Sequence, residues 1–264
     1  MKKKICIFLM AAFAVLLTVS AYFLISDKAD EKAQAEKYES IAEQVAQPDE
    51  TREPIQYDTE KALLTDYTDL FLQNGDMVGW VSVSDTNINY PVMQTPDNPN
   101  FYLKHGFDKT YSDYGCPYIQ ENCDVKTSSD NLIIYGHHMK NGTMFSDLTK
   151  FEDKSFWESH KTITFNTLTD KQEYEVVAVF KTVAYSQVGF RYYDFVNSDT
   201  AEDFDSYIAK CKELALFDTG VNAQYGDKLI TLSTCEYSRN NGRLAVVAKL
   251  ITGSGDGNVT GADS

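Results

Sequence analysis

The segment Lys228–Leu250, KLITLSTCEYSRNNGRLAVVAKL, constrains this chain more than any other. Two apolar runs rich in β-formers flank a polar turn holding Asn240, Asn241 and Gly242, the pattern of a β-hairpin. Strand alternation puts Leu229, Thr231, Ser233 and Cys235 on one face, with Ile230, Leu232 and Thr234 on the other. The cysteine face turns polar towards its end while the other stays largely apolar, so the strand carries a thiol from a packed core to a cleft rim. The return strand opens on Arg243, which brings a permanent cation towards the sulfur. A lone cysteine at a strand end is most often a small buried hydrophobe. The arginine and the stretch Asn131–Lys150 argue for more.

A chain of 264 residues, 43% of them hydrophobic, holds one sizeable core plus appendages. Its net charge of −15 argues against a nucleic-acid binder, which needs a basic face. The five cysteines, Cys6, Cys116, Cys123, Cys211 and Cys235, contain no CxxC pair, and the four histidines are not at ligand spacing around them, so no metal site is expected.

At the N-terminus Lys2, Lys3 and Lys4 precede an uncharged run from Ile5 to Ile25. At 1.5 Å per residue this run crosses a hydrocarbon core of about 30 Å. Basic residues before it, and Asp27, Asp30 and Glu31 after it, favour a cytoplasmic N-terminus and an extracytoplasmic remainder. The competing reading is a signal peptide cleaved near Val19-Ser20-Ala21, but a secretory apolar core spans only about 7–15 residues, which favours a retained anchor. Residues 27–59 are polar and charged, and read as a helical stalk or a disordered spacer. Residues 60–254 form the globular domain and 255–264 a disordered tail.

Within the domain, Leu63, Leu64, Tyr67, Leu70 and Phe71 recur at helical spacing, and Asn74-Gly75 ends that helix. Strands are expected over Val78–Val83, Ile88–Gln94, Tyr114–Gln120, Leu132–His137, Ile163–Phe165 and Tyr174–Tyr185, with a helical turn over Thr143–Lys150 and a helix over Ala201–Leu216. With the final hairpin this makes about eight short strands and few helices. The fold class is therefore mainly β with flanking helices, a closed or nearly closed barrel rather than βαβ layers.

Cysteine chemistry needs a thiolate, a proton carrier and a group to hold an oxyanion. His137 closes a β-run, as Cys235 does, so both can surface at one end of a barrel. Gly136 before it leaves room for a substrate or a neighbouring backbone. His138 is the rival base, but alternation turns it from the His137 face. His105 and His160 lie in polar, loop-like surroundings and read as bystanders.

YGHHM at Tyr135–Met139, NGTMFSDL at Asn141–Leu148, TLSTC at Thr231–Cys235 and Arg243, together with VGWVSVSDTNINYPVMQ at Val78–Gln94, resemble the class B sortases. The resemblance runs from about Asp66 to Thr252. It implies a membrane-anchored cysteine transpeptidase of Gram-positive bacteria on an eight-stranded barrel, with Ala201–Leu216 as the extra helix that class B places before its active-site strand. It further implies His137, Cys235 and Arg243 as the catalytic set and no cofactor. The implied partners are secreted proteins bearing a C-terminal sorting signal, an amine of the peptidoglycan precursor (the lipid II stem peptide), and the membrane. Ser233 and Thr234 are the candidate substrate-binding residues, with barrel filling an equally good reading for Ser233. Cys116 and Cys123 are left as a disulfide or two thiols. The sorting signal, of NPxTN, LPxTG or PPxTG type, stays open, as do simple hydrolysis, pilin polymerisation and a non-catalytic thiol module.

Overall fold

Strand alternation and turn chemistry make this chain a barrel. In the computed structural model, which describes residues 2–48, 51, 53–57, 61–184 and 189–253, the elements run in chain order as helix α1 (Lys2–Ala46), helix α2 (Thr65–Gln73), strands β1 (Met77–Ser82), β2 (Asn89–Met93), β3 (Tyr118–Ile119) and β4 (Asn131–Tyr135), helix α3 (Lys154–Ser159), strands β5 (Thr162–Thr167) and β6 (Gln172–Val183), helix α4 (Ala201–Leu214), and strands β7 (Leu229–Glu236) and β8 (Gly242–Gly253). The tail expected over 255–264 lies outside the described residues, as do the end of the strand expected to reach Tyr185 and the domain start at Glu60.

The chain divides between Ile41 and Ala42 into two compact units. In the first, α1 is long and apolar enough to cross a membrane. Its side chains from Ile7 to Ile25 are almost all exposed, which suits a helix solvated by lipid. The helix continues through the charged segment as far as Ala46.

In the second unit the strands close in the order β1-β2-β3-β4-β7-β8-β6-β5, and β5 pairs back onto β1. The class expected from the sequence is the class observed. β3 is shorter than expected because Pro117 has no N–H to give a ladder. Its carbonyl instead accepts from Met93, and β2 meets β3 through the single pair Met93–Tyr118. The core holds Phe145, Phe151, Phe165, Phe180, Ile133, Leu232 and Val246, all fully buried. Strands β1 and β5 approach closely at Gly79, where a Cβ would meet the Asn166 carbonyl at 2.5 Å.

Two connections matter for function. The segment between β2 and β3 turns through a 3₁₀ helix at Phe101–Leu103 and is braced by its own backbone, Cys116 N–H to Tyr102 O and Ser112 N–H to Lys104 O, both 2.9 Å. Buried Asn74 fastens it to the end of α2, donating to the Tyr102 hydroxyl at 2.8 Å and to the Phe107 carbonyl. Between β6 and β7, α4 is capped by Thr200, whose hydroxyl accepts from Asp203 N–H at 3.1 Å. It buries Phe204, Tyr207, Ile208 and Cys211 against the barrel.

Candidate active site

Three neighbouring strands set the geometry. β4 and β7 run parallel with Tyr135 opposite Ser233, and Gly136 N–H extends the ladder to Ser233 O at 3.1 Å. His137 and Cys235 each follow two residues beyond that last pair, His137 past the end of β4. β7 and β8 are antiparallel with Cys235 opposite Arg243. Side chains paired across adjacent strands share a face, and adjacent strands lie about 4.8 Å apart. Cys235 and Arg243 therefore share a face of the barrel wall, and His137 borders the same cleft from the end of β4. All three are half-buried and line one cleft of about 730 Å³.

His138 does not line that cleft. Its Nδ1 engages the Cys235 carbonyl at 3.0 Å. The His137 ring is held from the β2–β3 connection, where the Leu103 carbonyl lies 2.7 Å from Nε2. A carbonyl only accepts, so Nε2 carries the hydrogen and Nδ1 is the nitrogen left to exchange a proton. β4 ends at Tyr135, two residues before His137, whose own carbonyl accepts from Phe145 N–H at 2.8 Å.

Gly136 lines the cleft, and the space where its Cβ would stand is taken by the Phe145 ring, at 2.4 Å. Gly136→Ala should therefore overpack the site and push on His137, costing about 1–3 kcal/mol. Thermal melting and thioester formation would both fall; an unchanged melt would show that the ring simply moves aside.

Ser233 and Thr234 are buried in the cleft wall with their hydroxyls engaged inside the protein. Ser233 Oγ shares a short hydrogen bond with the Tyr192 hydroxyl, and Thr234 Oγ1 donates to Gly136 O at 2.8 Å. Gln120 ties the far wall, its Nε2 donating to Tyr193 O at 3.0 Å while its Oε1 accepts from the Tyr135 hydroxyl.

Of Cys116, Cys123, Cys211 and Cys235, only Cys235 is not buried. Burial pushes the Cys123 thiol up to about 11 and the Cys211 thiol to about 12, so both stay protonated. No disulfide joins Cys116 to Cys123; their sulfurs donate to the carbonyls of Pro91 and Asn131. Glu236, the acid that sequence would offer Arg243, is engaged by Ser238 N–H at 2.8 Å and lies 3.6 Å from Lys181. Burial opposes its ionisation, but the Ser238 hydrogen bonds and Lys181 outweigh it and hold the carboxyl below its usual range. No cluster of described residues could hold a metal ion.

Sequence reasoning missed the Leu103 carbonyl, Gln120, Tyr192 and Tyr237. A main-chain carbonyl has no side-chain signature, Gln120 and Tyr192 reach the site only through tertiary contacts, and Tyr237, two residues after Cys235, shows its role only in its bond to the His138 carbonyl.

The sortase domain pattern matches residues 81–251. Sortase B of Listeria monocytogenes is 35% identical over 186 residues, 70% of this chain and 73% of that protein. Sortase B of Staphylococcus aureus is 34% identical over 180 residues, 67% and 71% of the two chains. The Staphylococcus aureus sortase B–substrate complex superposes with a TM-score of 0.73 at 28% identity, over 84% of this chain and 98% of that one. With a thiol, an imidazole and a guanidinium lining one cleft of the same barrel, the chain belongs to the sortase family and is a class B cysteine transpeptidase.

Proposed function

We propose that this protein acts from the outer face of the cell membrane, cleaving a sorting signal after its threonine and passing the acyl group to an amine of the peptidoglycan precursor. The convergence of His137, Cys235 and Arg243 on one cleft, with Cys235 paired to Arg243 across β7 and β8, carries the reading.

In the first half-reaction the Cys235 thiolate attacks the threonine carbonyl carbon, forming a C–S bond. Arg243 donates hydrogen bonds to the oxyanion that develops. The tetrahedral species collapses with loss of the C–N bond, and the departing amine takes its proton from the His137 imidazolium, leaving a thioester. In the second half-reaction neutral His137 accepts a proton from the incoming amine as it attacks the thioester. The C–S bond then breaks and returns the thiolate. The Leu103 carbonyl holds Nε2–H throughout, so Nδ1 handles the proton. Ser233 and Thr234 face the substrate as cleft wall, with Thr234 also holding the backbone before His137.

The uncharged Ile5–Ile25 run is read as a retained anchor with the lysines in the cytoplasm. Segments 1–26, 27–59, 60–254 and 255–264 then serve as anchor, stalk, catalytic domain and tail. The soluble acceptor decides between transfer and hydrolysis. Incubating labelled NPxTN, LPxTG and PPxTG peptides with and without an amine acceptor should yield ligated product with the amine and slow hydrolysis without it. Cleavage that ignores the amine would make the protein a peptidase, and no cleavage of any peptide would remove the proposed substrate class.

A further inference from the structure

The segments that carry His137 and Cys235 are joined just beyond both residues by two hydrogen bonds running in opposite directions. The His138 ring donates from Nδ1 to the Cys235 carbonyl at 3.0 Å. The Tyr237 hydroxyl, from the β7 side, donates to the His138 carbonyl at 2.8 Å. The two rings also pack, with centroids 5.0 Å apart. Tyr237 is 69% exposed, so its burial explains little of why it is fixed there. Neither side chain is needed to continue the ladder, since Gly136 N–H and the Thr234 hydroxyl already join the strand ends.

We propose that His138 and Tyr237 are positioning residues that clasp the ends of β4 and β7 and so set the distance and angle between the His137 ring and the Cys235 sulfur. Each is one residue, or two, from the group it serves, so a small shift of either backbone reaches the reacting atoms directly. A displacement of about 1 Å at such a site lowers turnover by up to about a hundredfold. The clasp also accounts for two adjacent histidines. His137 turns into the cleft, and His138 turns away from it to hold the backbone of the nucleophile. The proposal rests on the assignment of Cys235 and His137 as the reacting pair.

The test uses full-length protein in detergent, with the labelled peptides as substrates and iodoacetamide alkylation of Cys235 as a readout that needs no peptide. Tyr237→Phe keeps the ring and removes the hydroxyl. His138→Ala removes the donor, and His138→Asn restores an N–H near the Nδ1 position. Tyr237→Phe and His138→Ala should each lower acylation turnover about tenfold, the effect of one hydrogen bond, with KM changed less than about twofold. The pH profile of Cys235 alkylation should shift, His138→Asn should recover most of the loss, and the double variant should be no worse than its poorer parent because both act through one clasp. Losses that multiply, an asparagine no better than alanine, or an unchanged alkylation profile would overturn the clasp. Cys235→Ala is run alongside: if it still cleaves peptide, the reacting pair itself is wrong, and the clasp falls with it.

Discussion

Cys235→Ala should abolish thioester formation and peptide cleavage, a loss on the order of 10⁶ in turnover if the thiolate is the attacking group. Cys116→Ala, Cys123→Ala and Cys211→Ala should keep the chemistry. All three are buried, and burial holds the Cys123 and Cys211 thiols well above their ordinary range. Their cost should appear in thermal melting rather than in turnover. His137→Ala should be almost as damaging as loss of the thiol, since the members of a catalytic unit act together and losing the base alone can cost about as much as losing the whole set. His138→Ala should be much milder. Mass spectrometry of the acyl-enzyme measures the first step and peptide release the whole cycle. If His138→Ala were the dead variant and His137→Ala the mild one, the base would have to be reassigned.

Arg243→Lys separates charge from geometry. Lysine keeps the positive charge but offers a point donor in place of a planar fork. If Arg243 holds the oxyanion, both Arg243→Lys and Arg243→Ala should lose about 100- to 1000-fold in turnover, the usual consequence of removing one preorganised donor. The fold should survive. Arg243 is the second residue of β8, half-buried at the cleft, and its backbone keeps the pairings with Cys235 on one side and Thr182 on the other. Were it only a surface cation, turnover would stay near normal and stability would fall by at most about 1 kcal/mol. Its obvious surface partner, Glu236, is already engaged by Ser238 and Lys181. Turnover and melting measured on the same two variants decide the matter, and an active lysine variant would take Arg243 out of the catalytic set.

The strands were legible in the sequence because their signals are local. Period-two alternation in LITLSTC and the Asn-Asn-Gly turn specify the β7–β8 hairpin, and with it the pairing of Cys235 with Arg243. Alternation also separated His137 from His138, since adjacent residues near a strand end face opposite ways. The helix over α4 followed from its buried stripe, and the apolar N-terminal run from length alone.

Other features depended on contacts between distant parts of the chain. β4 and β7 are parallel neighbours about one hundred residues apart, and no local pattern states that pairing, yet it brings the strand end that leads to His137 beside the strand of Cys235. Gly136 read as space for a visitor, and only the fold shows that Phe145 occupies it. Cys116 and Cys123 were open to a disulfide by spacing, and folding points their sulfurs at two different carbonyls. The group that orients His137 is a backbone carbonyl from the β2–β3 connection, a feature every residue type possesses. Sequence thus determined which residue types arrive at the strand ends, through side-chain periodicity. The tertiary structure decided which of them meet, because non-local pairing and main-chain acceptors leave no mark on the order of the side chains.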